Sequence, residues 1–118
     1  MENKNVFGKN PGKEGPVELS DGNFKSFVSS PKLSVIDLWA AWCAPCRYIS
    51  PVVDELSKEY AEVANFGKVN VDENPVTSRA LRIESIPTIM FFKNGKPVDV
   101  SIGVVPKEVL VQKIKNLA

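Results

Sequence analysis

The stretch AWCAPCR, Ala41 to Arg47, holds both cysteines of the chain, Cys43 and Cys46, three positions apart. A disulfide between them closes too small a loop to remove much chain entropy from the unfolded state, so the pair is no staple. Two thiols at this spacing, at the opening of a helix, can exchange electrons with another disulfide. The first turn of such a helix offers unpaired N–H groups and the positive end of a dipole, both of which favour a thiolate over a thiol. Cys43 is therefore expected to be the more acidic and more exposed thiol. Cys46, one turn on, should lie deeper on the same face and within bonding reach. Pro45 is tolerated between them because first-turn N–H groups have no helical acceptor. Two other readings stand beside redox chemistry. A structural zinc site needs four ligands, and two cysteines without a histidine could supply them only across two subunits. Alternatively the thiols are inert core residues, although the flanking Trp42, Ala44 and Pro45 and the turn context speak against that.

The elements that must position this pair follow from the pattern of apolar residues. LSVIDLWA, Leu33 to Ala40, reads as a central strand covered on both faces, and its one charged residue is Asp37. In an alternating strand Asp37 could face water. In a buried one its pKa should rise, and it could then exchange a proton with Cys46. From Cys43 onward Ile49, Val52, Val53, Leu56 and Tyr60 recur at helical spacing, with Pro51 inside the helix. VANFGKVNVD reads as the next strand. It carries Lys68, which is either an ordinary exposed lysine or a neighbour that tunes Asp37.

Around this centre, Phe24, Phe27 and Val28 mark a short first helix, preceded by a possible strand at Val17 to Leu19. NPVTSRALRI predicts a helix capped by Asn74 with Pro75 in its first turn. PTIMFFKNG and KPVDVSIG predict a hairpin through Asn94-Gly95. PKEVLVQKIKNLA predicts a last amphipathic helix from Pro106. Pro87 stands where a strand begins, a position a proline can hold without losing a ladder bond, and nothing local favours a cis bond to Ile86. Alternating strands and helices followed by an antiparallel pair predict an α/β domain with a mixed sheet of four to five strands flanked by four helices.

The chain has 118 residues, enough for one domain with a core. Residues 1–16 are polar and Gly/Pro-rich and read as a flexible extension, leaving 17–118 as the domain. Fifteen basic residues against fourteen acidic give a formal charge of +1, no field to attract nucleic acid or an anionic membrane. No run is apolar enough for a secretory signal or a membrane span, so a cytoplasmic location is expected. In that reducing compartment paired cysteines more often do redox work than hold a fold.

With these residues placed, the chain resembles the thioredoxin family from about Val17 to Ala118. VIDLWAAWCAPCRYISPVVDEL is similar to the family's active-site strand and helix, KVNVDENP to its third strand, and IPTIMFFKNGK to its cis-proline strand. The resemblance implies a protein-disulfide reductase working by dithiol–disulfide exchange through Cys-Ala-Pro-Cys, with no bound cofactor. It implies that Cys43 is the attacking thiolate, Cys46 the resolving thiol, Asp37 the buried proton-transfer group and Lys68 its neighbour. It further implies a cis Ile86-Pro87 bond, and a groove for target proteins bordered by Trp42, Ala44, Pro45, Ile86, Pro87, Gly103 and Val104. The implied partners are a thioredoxin reductase and disulfide-containing proteins, with the chain a monomer. Ala44 departs from the family's usual Gly, and Ala41 stands where an acidic residue is often found.

Overall fold

The computed structural model describes residues 15–118, so most of the expected extension lies outside the described part. Gly15 and Pro16, assigned to that extension from sequence, are described: Gly15 is buried and Pro16 half-buried. The elements run β1 (Val17–Leu19), α1 (Phe24–Val28), β2 (Leu33–Trp39), α2 (Ala44–Glu59), β3 (Ala64–Asn70), α3 (Pro75–Ala80), β4 (Thr88–Lys93), β5 (Lys96–Ile102) and α4 (Lys107–Leu117). The five strands form one sheet in the order β1-β3-β2-β4-β5. β1 and β2 both run parallel to β3, while β4 pairs antiparallel with β2 and with β5. This is the mixed sheet that the alternation of elements predicts.

β2 lies between β3 and β4, and six of its seven residues are buried. Strand alternation sends Leu33 and Val35 to one face, where they meet Ile49, Val53 and Leu56 of α2 and Leu110 and Ile114 of α4. Ile36 and Leu38 point to the other face, against Phe24 and Val28 of α1 and Phe92 of β4. Asp37 and Trp39 therefore share the α2 face. In β3 the same alternation carries Phe66 and Lys68 to that side and turns Gly67 toward α1. A Cβ on Gly67 would come within 2.6 Å of Leu19 Cδ1 and 3.3 Å of Phe27 Cε1, so glycine is what lets α1 and β1 close on the sheet.

The β4–β5 hairpin turns through Asn94 (φ 53°) and Gly95 (φ 81°), the pair of left-handed residues that a two-residue turn requires. Its backbone is tied to the end of α1 by Asn94 N–H to Ser30 C=O (2.9 Å) and Gly95 N–H to Val28 C=O (2.8 Å).

One helix start and one helix end differ from expectation. α4 begins at Lys107, with Pro106 in extended conformation before it. α3 stops at Ala80, short of the predicted Ile83, and Arg82 beyond it is left-handed (φ 55°). Asn74 precedes α3, but its side chain does not cap it. Asn74 Oδ1 accepts from Asp21 N–H (2.9 Å), and its Nδ2 donates to Asn70 C=O (3.0 Å). The cap comes instead from Asp21, whose carboxylate accepts from Val76 N–H (3.3 Å) and Thr77 N–H (2.8 Å) across 56 positions of sequence. The Thr77 side chain most strongly, and then these two backbone bonds, hold the Asp21 carboxyl below its usual pKa.

Candidate active site

Cys43 ends the loop that leaves β2 and acts as N-cap of α2 with an extended backbone. The parallel β2–β3 pair delivers its loops to one end of the sheet, the end at which reactive groups gather in α/β folds. There Cys43 Sγ and Cys46 Sγ are joined in a disulfide with Cα atoms 5.3 Å apart, and Cys46 N–H donates to Cys43 Sγ (3.2 Å). The first-turn amide thus points at the sulfur on which negative charge would develop after reduction. Pro45 falls in the first turn, as expected. The expected difference in exposure is not found: the two cysteines are 3% and 4% exposed. In the disulfide form they shield one another, and Ala40, Val71 and Ile86 pack around them.

What separates the two cysteines is the space each one lines. Cys43 opens onto a groove of about 500 Å³ walled by Trp42, Ala44, Pro45, Val71, Ile83 and Ile86, with Ser78, Glu84 and Ser85 completing it. Cys46 lines a smaller cavity of about 120 Å³ on the opposite side, shared with Asp37, Trp39, Ala40, Ala41, Arg47, Ser50 and Lys68. Asp37 is 1% exposed, which settles its orientation, and its Oδ1 has no hydrogen-bond partner among the described residues. Burial pushes its carboxyl up to about pKa 7. Lys68 opposes that rise, while the more distant Asp54 and Glu18 add to it. Lys68 is the β3 residue registered with Asp37 and is half-buried. Its Nζ stands 5.0 Å from the Trp39 ring centroid, a cation–π distance.

Of the expected groove residues, Trp42, Ala44, Pro45 and Ile86 line it, and Trp42 is 69% exposed. The Ile86-Pro87 bond is cis. Pro87, Gly103 and Val104 are not among the lining residues. Pro87 is buried, its carbonyl accepts from Gly103 N–H (2.8 Å), and Val104 is exposed beyond that bond.

Sequence reasoning missed Val71, Ser78, Ile83, Glu84 and Ser85 as lining residues. It also missed Asp72, whose Oδ2 accepts from Trp42 Nε1 (2.8 Å) and fixes the indole over the groove. Val71 and Asp72 follow directly on β3, and the rule that ligands collect beyond the carboxyl ends of parallel strands could have found them. Ser78 and Ile83 arrive only through the placement of α3, which no local pattern specifies.

A redox-bonded cysteine pair at a helix N-terminus, flanked by an apolar groove and a buried carboxyl, defines a thiol–disulfide oxidoreductase. The thioredoxin family model matches residues 15–116. The chain is 46% identical over 100 residues to a thioredoxin of Synechocystis sp., covering 84% of this chain and 94% of that one. It is 42% identical over 101 residues to a thioredoxin of Alicyclobacillus acidocaldarius, covering 86% and 96%. The crystal structure of a Malassezia sympodialis thioredoxin superposes with a TM-score of 0.80 at 34% identity, covering 88% of this chain and 93% of that one. The chain belongs to the thioredoxin family, and its function is that of a protein-disulfide reductase with Cys43 and Cys46 as the redox-active pair.

Proposed function

We propose that the two cysteines divide the reaction as their surroundings divide. Cys43, on the groove side, attacks one sulfur of a target disulfide as a thiolate. A mixed disulfide forms, and the other target sulfur leaves as a thiolate that takes a proton. Cys46 then gives its proton to Asp37 and attacks Cys43 Sγ. The first target sulfur leaves, and the Cys43–Cys46 disulfide forms. Two electrons have passed to the target, whose departing thiolate takes a proton from water in the groove, while the proton held by Asp37 leaves to water through the small cavity. Lys68 steadies the charge that Asp37 carries whenever it is deprotonated.

The observation that carries this reading is that Cys43 lines the groove while Cys46 lines the cavity of Asp37. Trp42, Ala44, Pro45 and Ile86 hold the target segment, with Pro87, Gly103 and Val104 bordering the groove beyond them. A reductase must restore the dithiol, and a thioredoxin reductase is the partner of that chemistry. A dithiol that works as a reductant must stay reduced, which suits a cytoplasmic setting. The chain works as one domain, for which residues 1–14 are dispensable.

Insulin reduction driven by dithiothreitol tests the roles. The wild type should accelerate precipitation of the insulin B chain, and Cys43→Ser should lose that acceleration entirely. Full acceleration by Cys43→Ser would contradict the assignment.

A further inference from the structure

The groove beside Cys43 is apolar along most of its wall, and among the described residues Glu84 is the one charged group lining it. Glu84 is exposed, lies two residues before Ile86, and forms no ion pair among the described residues. A second carboxylate, Asp72, stands at the Trp42 wall through its bond to the indole N–H (2.8 Å). No basic side chain is among the described residues that line the groove. Arg79 and Arg82 line an adjoining hollow that shares Ser78, Ile83 and Glu84 with the groove, and Arg47 lines the Asp37 cavity with its guanidinium donating to Ala41 C=O (3.1 Å). A segment seated in the groove therefore meets the Glu84 carboxylate as the charged group of its wall among the described residues.

We infer that Glu84 is a specificity-determining residue, which makes this reductase favour disulfides flanked by lysine or arginine over those flanked by acidic residues. The inference rests on the reductase reading above and deepens it by naming a substrate class. Its physical basis is charge complementarity at a partly desolvated surface, which acts on the encounter and on the docked complex and is screened by salt.

The test uses the full chain, reduced beforehand, and three synthetic peptides closed by one disulfide and differing only in flanking residues: lysine, glutamine or glutamate. Single-turnover rates are followed by acid quench and thiol alkylation. At low ionic strength the wild type should oxidise roughly two- to five-fold faster with the lysine peptide than with the glutamate peptide, the span expected of one solvent-accessible ion pair. That ratio should shrink toward one in Glu84→Gln, reverse in Glu84→Lys, and fall for the wild type in strong salt. An identical ratio in wild type and Glu84→Gln would overturn the inference while leaving the reductase function intact. Failure to reduce any of the three peptides would overturn both.

Discussion

At the residue scale the account turns on Asp37. An aspartate in the unfolded chain ionises near 3.8, and in this fold the proton is kept until about pH 7. Between those values the native state binds the extra proton, so the carboxyl lowers stability progressively as pH rises through this window. The span of about three pKa units corresponds to roughly 4 kcal/mol above the window and to nothing below it. Asp37→Asn removes the titration and keeps the shape. Urea denaturation of the oxidised protein should give nearly equal stabilities for variant and wild type at about pH 4, with the variant several kcal/mol more stable at about pH 8. A difference that does not vary with pH would show that Asp37 does not titrate in this range. The same variant should resolve mixed disulfides more slowly near neutral pH, so that stability and turnover move in opposite directions. Burial of Asp37 was legible in the sequence only as one of two alternatives, because an alternating strand could turn it to water and only the placement of β2 between β3 and β4 encloses it. The exposure of Cys43 was not, because the disulfide and the side chains of Ala40, Val71 and Ile86 cover it from other elements.

Elements whose signals are local were read correctly from the pattern: the apolar run of β2, the helical spacing of α2, and the Asn94-Gly95 turn. Those that depend on distant chain were not. Asn74 had the type and position of a helix cap, yet its side chain bonds to Asp21 and Asn70, and Asp21 caps α3 from before α1. Asp21→Ala should therefore speed amide exchange at Val76 and Thr77 and lower the melting temperature, with α2 amides little changed. Unaltered exchange at those two amides would remove the cap from the account. Because the Asp21 carboxyl lies below its usual pKa, its contribution is present above the unfolded value and is lost as pH falls through the folded one. Gly67 is a second long-range constraint. Gly67→Ala pushes a methyl into Leu19 and Phe27, and overpacking of this kind costs about 1–3 kcal/mol. Chemical denaturation measures it, and a neutral result would mean that β1 and α1 shift freely.

For the whole molecule, the order of elements was enough to read a mixed sheet with helices on both faces, because parallel strands need crossovers while a tight turn makes an antiparallel pair. The groove was only half legible. Trp42, Ala44 and Pro45 sit in the cysteine motif itself, whereas Ser78, Ile83, Glu84 and Ser85 reach Cys43 through the placement of α3 and the loop after it. Among the described residues, the sheet and the two larger cores are built from residues after Gly15. Deleting residues 1–14 should accordingly leave melting temperature and insulin reduction unchanged, and a marked fall in either would show that those residues take part. The division of labour between the cysteines is what the fold as a whole produces, by setting a groove on one side of the pair and the Asp37 cavity on the other. Mass spectrometry of the reduced Cys46→Ser variant mixed with a disulfide peptide tests it most directly. The account predicts a stable one-to-one adduct carried by Cys43, and no adduct from Cys43→Ser under the same conditions. An adduct that forms on Cys46 as readily as on Cys43 would contradict it.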